Sequence, residues 1–130
     1  MKTPYLPTSF GPRTYLAGPM TGLPDYNYPA FNAEAARLRS MGMHIENPAE
    51  NPEQPSWEAY LRRALTQMLT CDSIHFLPGW TKSRGATLEF LVAYRLGMVM
   101  TFAPGAEPAY DPDDVAFRPV GSTVNEVPQT

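Results

Sequence analysis

The chain has 130 residues, 43% of them hydrophobic and 18% charged, with a formal net charge of −3. That length suits one domain with a three-layer core but not two, and an acidic balance supplies no polycationic face for a nucleic-acid polymer. The N-terminus lacks a long apolar leader and no stretch has the apolar length needed to span a bilayer, so a cytoplasmic protein without membrane contact is expected. A single Cys71 excludes an intrachain disulfide and a cysteine zinc cluster. With only His44 and His75 beside it, no metal or redox cofactor is expected.

Residues 1–12 carry prolines at 4, 7 and 12 and are expected to form an extended arm. The domain then runs over 13–120. Arg13 to Gly18 reads as the first strand, and the following connection from Pro19 to Pro29 is rich in glycine and proline. Gly18, Pro19, Met20 and Gly22 fall where backbone approaches a ligand, although the same residues also suit a plain turn-rich loop. Pro29 marks a helix start and Gly42 its end, with Phe31, Ala35 and Leu38 between. Met43 to Glu46 is a short second strand, and three prolines across 47–55 force a loop after it.

Ser56 is placed to cap a helix whose Trp57, Tyr60, Leu61, Leu65, Met68 and Leu69 form an apolar stripe, which reads as a packing helix. Ser73 to Leu77 is a third strand, in which His75 reads as a core-edge histidine. A Pro78-Gly79 turn follows. The next helix opens at Ser83 and is expected to turn Leu88, Leu91, Val92 and Leu96 to the core. Glu89 lies about 100° round from Leu88, on the side of Gly85, Ala86 and Ala93, where small residues leave room for a ligand. Ser83, Arg84 and Gly85 sit at the helix start, where free N–H groups and the positive end of the dipole favour an anion such as phosphate; Ser83 also fits a simple N-cap. Trp80 has two readings, as a platform for a base or as a cap on the core. Met98 to Phe102 is a fourth strand.

Alternating strands and helices predict an α/β fold with a parallel sheet of four or five strands, covered on both faces, and a site at the carboxyl ends of the strands. From Ala103 prolines alternate with acidic and small residues. Val115 to Phe117 is the one candidate for a fifth, edge strand, and the rest, including a tail over 121–130, is expected to wrap the domain or a partner subunit or to lack order.

Tyr15-Leu-Ala-Gly-Pro-Met-Thr-Gly22, Asn47-Pro-Ala-Glu50, Cys71-Asp72 and Leu77-Pro-Gly-Trp-Thr-Lys-Ser-Arg-Gly-Ala-Thr-Leu-Glu89 together resemble the nucleoside 2-deoxyribosyltransferase-like superfamily. Within it the chain is most similar to the small domain of unknown function common in phages and prophages and related to nucleoside 5′-monophosphate N-glycosidases. The resemblance implies a flavodoxin-like three-layer sandwich, usually a homodimer, acting on the N-glycosidic bond of nucleosides or nucleoside 5′-monophosphates without a cofactor. It gives Glu89 the place of the nucleophile, Tyr15 that of its hydroxyl partner and Ser83 that of a 5′-phosphate contact. A carboxylate near a helix N-terminus is expected to stay ionised and to meet the oxocarbenium carbon.

One position departs from the family. Eight residues before Asp72, members generally carry an aspartate that orients the sugar or protonates the leaving base; here it is Ala64. The alternative reading is therefore a protein that binds a nucleotide without cleaving it. Residues that members contribute from the neighbouring subunit have no clear counterpart, with Ser122, Thr123 and Asn125 as candidates.

Overall fold

The computed structural model describes residues 12–114. The N-terminal arm, the Val115 to Phe117 strand, the tail and Ser122, Thr123 and Asn125 lie outside the described residues. The order is β1 (Arg13–Ala17), α1 (Tyr28–Ser40), β2 (His44–Glu46), α2 (Trp57–Met68), β3 (Ser73–Phe76), α3 (Arg84–Arg95) and β4 (Val99–Phe102), with short 3-10 turns at Pro24–Asn27, Pro48–Glu50 and Trp80–Lys82. The sheet runs β2-β1-β3-β4 and every pairing is parallel. This is the flavodoxin-like α/β fold expected from the alternation of elements.

Period-two strands split their side chains between two cores. Tyr15 and Ala17 of β1 join Ile74 and Phe76 of β3 against Ala64 and Met68 of α2 and Ala86, Phe90 and Ala93 of α3. Leu16 points the other way, to Phe31, Ala35 and Leu38 of α1 and Ile45 of β2. The result is three layers, with α1 on one face and α2 and α3 on the other.

Local signals set the helix starts. The hydroxyl oxygens of Ser56 and Ser83 accept the N–H groups of Ala59 and Ala86, both at 3.1 Å, each satisfying one donor of a first turn. The core-facing stripe of α3 differs in part from the expected one. Ala86, Glu89, Phe90 and Ala93 are buried, whereas Leu88 and Leu96 remain 37% and 59% exposed. The helix lies close on the sheet through its small residues, Phe90 joins Phe76 and Trp80 in the aromatic core, and Val92 packs against that core as expected.

His75 is buried on the α1 face, where Nε2 lies 2.7 Å from Glu34 Oε2 and Nδ1 2.7 Å from Thr101 Oγ1. Glu34 also receives Arg37, so the ring is held at both nitrogens within a polar network. Arg37 and the His75 contact together hold the Glu34 carboxyl down at about 2.

The segment after β4 wraps the domain. Tyr110 stacks on Trp80 with centroids 5.9 Å apart, Tyr94 donates to Asp111, and Arg95 pairs with Asp113. Among the described residues no helix is long and apolar enough to cross a membrane, and no group of three or more His, Cys, Asp or Glu side chains is spaced to hold a metal ion.

Candidate active site

A cavity of about 710 Å³ opens at the carboxyl ends of β1, β2 and β3. Its walls come from the β1–α1 loop (Gly18, Pro19, Met20, Thr21, Leu23, Asn27), from Pro48, from the start of α2 (Trp57, Tyr60, Leu61), from Pro78 and Gly79, and from Lys82 to Ala86; Tyr15 and Glu89 line it as well. Parallel sheets place their ligands in this position because loops diverge there on either side of the switch in strand order, here between β1 and its two neighbours.

The Tyr15 hydroxyl donates to Glu89 Oε2 at 2.6 Å. Tyr15 is brought there by the outward alternation of β1 and Glu89 by the second turn of α3, 74 residues later in sequence. Glu89 is 5% exposed, and this burial pushes its carboxyl up to about 8, with the Tyr15 hydrogen bond pulling the other way. The expectation of a fully ionised carboxylate is thereby corrected: the helix dipole is a fraction of a charge a turn and a half away, and loss of water outweighs it. Burial first, and then the Glu89 charge, hold the Tyr15 phenol well above its ordinary range.

Ser83 is the N-cap of α3 and also lines the cavity. Beside it the Arg84 guanidinium lies over the Trp57 ring, 3.9 Å from the centroid. Lys82, Gly85 and Ala86 complete this cationic, N–H-rich wall. A Cβ at Gly85 would meet Leu61 Cδ1 at an ordinary 3.7 Å.

Other expected site residues take different roles. Trp80 is corrected to a core residue: it is 0% exposed, its indole N–H donates to the Glu107 carbonyl oxygen, and it offers no face to the cavity. The tryptophan that lines the cavity is Trp57. Gly22 is also corrected, since it adopts φ +85 in a turn and is absent from the lining. Gly18 does line the cavity, but its lack of a side chain answers a packing need, because a Cβ would come within 2.9 Å of Leu77 Cβ. Asn47-Pro-Ala-Glu50 is a turn: Asn47 is buried, accepts the Ala49 N–H and donates to Asn32. Asp72 accepts the Arg13 N–H and links the starts of β1 and β3. Ala64, 1% exposed, sits in the core cluster with Tyr15 and does not line the cavity.

Three features have no clear signal in the sequence. Tyr60, whose spacing places it on the packing stripe of α2, reaches the cavity with its hydroxyl 3.0 Å from Met20 Sδ. Asp25, Tyr26 and Asn27 take left-handed backbone angles at φ 53, 52 and 59, a strained run steadied by Asn27 Nδ2 donating to the Pro19 carbonyl at 3.0 Å. Glu107 accepts the Gly79 N–H at 2.8 Å, the Thr81 N–H and the Thr81 hydroxyl, and so pins the β3–α3 loop from outside the domain core.

A family model described as "Domain of unknown function (DUF4406)" matches residues 12–102. Among curated proteins nothing matches. A solved structure of a 2-deoxyribosyltransferase from the psychrotolerant bacterium Bacillus psychrosaccharolyticus, described as a biocatalyst for synthesis of antiviral and antitumoral nucleosides, is similar with a TM-score of 0.58. The likeness covers 75% of this chain and 77% of that one at 20% identity, and it shows a shared fold.

Proposed function

The chain belongs to the family described as Domain of unknown function (DUF4406), and from that premise we propose that it breaks the N-glycosidic bond of a nucleoside 5′-monophosphate through Glu89. The observation that carries this reading is the 2.6 Å contact of Tyr15 with a buried carboxylate in an open cavity. A nucleoside-making neighbour of the same fold supports glycosyl chemistry as the reaction class.

In this reading Glu89, once ionised, attacks C1′ as the bond to the base breaks, and the electron pair of that bond leaves with the base. The Tyr15 hydroxyl orients the carboxylate and stabilises its charge. Ser83, Arg84 and the first N–H groups of α3 take the 5′-phosphate, since helix N-termini and guanidinium groups both suit an anion. Water then opens the glycosyl ester to complete hydrolysis, or a second base takes the sugar to complete transfer. The protein works as a homodimer, with the exposed Leu88 and Leu96 stripe of α3 as part of the contact.

A second reading, nucleotide binding without cleavage, is favoured by Ala64 and by a Glu89 that is mostly protonated at neutral pH. Incubation with a panel of nucleoside 5′-monophosphates, followed by chromatography for free base, separates the two. Base release is expected from at least one nucleotide, and lost in Glu89→Gln. Tight binding of a nucleotide with no release from any of them would replace the enzyme reading with the binding one.

A further inference from the structure

Breaking the bond to a nucleobase leaves an electron pair on a ring nitrogen or, through the ring, on a carbonyl oxygen. A donor close to that position lowers the barrier. Among the side chains lining the cavity, Tyr15 is committed to Glu89, and Ser83, Lys82 and Arg84 cluster on the wall at the start of α3. Trp57 and Leu61 belong to that same wall, one under Arg84 and the other beside Gly85, while Met20, Leu23 and Pro48 give the cavity an apolar lining from the loops after β1 and β2. With the phosphate at the start of α3 and C1′ at Glu89, the apolar lining of Met20, Leu23 and Pro48 is left for a flat base. Tyr60 stands there.

The Tyr60 hydroxyl is poorly occupied. It points to the Met20 thioether sulfur at 3.0 Å and to the Pro48 carbonyl at 3.3 Å, and a thioether is a weak acceptor that a base nitrogen or carbonyl readily displaces. Tyr60 also lies one helical turn before Ala64 on the same side of α2, so it presents a donor from the face on which the alanine has none.

We propose that Tyr60 is a catalytic residue of this site, giving its phenol proton to the nucleobase as the base departs. The inference rests on the glycosidic reading above. As the C1′–N bond breaks, its electron pair goes to the base, Glu89 oxygen bonds to C1′, and the base takes the proton from Tyr60. The water that later opens the ester gives its hydroxyl to C1′ and one proton back to the Tyr60 phenolate, which restores both residues. Charge favours the sequence of events. Burial raises the Tyr60 phenol above its ordinary range and the Glu89 charge raises it further; capture of C1′ cancels that charge, so the phenol becomes more acidic as the base needs a proton.

The test compares two leaving groups on the same sugar phosphate, the nucleobase found in the panel and para-nitrophenol, whose anion departs without a proton. In Tyr60→Phe, kcat with the nucleotide should fall about 100-fold or more, while kcat with the nitrophenyl glycoside falls by no more than about threefold. Equal losses with both substrates would make Tyr60 a structural residue and overturn the proposal, as would an unchanged rate with the nucleotide. Glu89→Gln distinguishes the underlying reading: it should abolish cleavage of both substrates, and wild-type protein that cleaves neither sinks the glycosidic reading and this inference together.

Discussion

Tyr15→Phe removes a single oxygen and leaves an aromatic ring in the core, so its effect on Glu89 is separable from its effect on packing. Burial and the Tyr15 hydrogen bond oppose each other at Glu89, which lies at about 8 with both in place. A hydrogen bond to a charged group contributes roughly 1.5–3 kcal/mol, so at about 1.4 kcal/mol per unit its loss raises the carboxyl by roughly one to two further units. The attacking form is the carboxylate. Base release therefore climbs with pH through the value for Glu89, and wild-type protein at neutral pH works at about a tenth of its maximum. In Tyr15→Phe the rising limb of kcat/KM shifts to about 9–10, and the rate at neutral pH drops a further 10- to 100-fold, roughly. Initial rates of base release across neutral to alkaline pH measure this directly, with thermal melts as a check on folding. A limb that stays in place, or moves to lower pH, would refute the idea that Tyr15 stabilises the charged carboxylate.

Glu89→Gln should bind nucleotide as wild type does and release no base. It also has a stability signature: the folded state holds the Glu89 proton up to about 8 against an ordinary 4.5, so wild type loses stability as pH rises between those values, and the glutamine variant should gain on it by a few kcal/mol, on the order of 3–5, above pH 8 in denaturant titrations. Ser83→Ala should cost about 1 kcal/mol through the lost cap and narrow the preference for nucleotide over nucleoside, read as the ratio of their KM values; an unchanged ratio removes Ser83 from the phosphate site. Leu96→Lys should convert a sedimenting dimer to monomer, and a wild-type protein that is already monomeric at micromolar concentration refutes the dimer.

The chain's local chemistry is legible in its sequence. Ser56 and Ser83 start helices because a hydroxyl can accept the N–H three residues on, Pro29 enters a first turn, and alternating short strands and helices leave little choice but a parallel sheet between helical layers. The pairing of Tyr15 with Glu89 is expected as well, from the resemblance and from the rule that such sheets gather their ligands at strand ends. What tertiary structure decides is direction and environment. Helix α3 carries apolar residues around most of its circumference, so periodicity alone does not show that Ala86, Phe90 and Ala93 face the sheet while Leu88 and Leu96 face outward; only close approach to β3 selects the small residues. Two tryptophans with similar local surroundings part in the same way, Trp80 into the aromatic core under Tyr110 and Trp57 to the cavity rim beneath Arg84. The protonation of Glu89 is decided last, because a dipole can be read from sequence position, whereas the removal of water that overrides it exists only once the core has closed around the carboxyl.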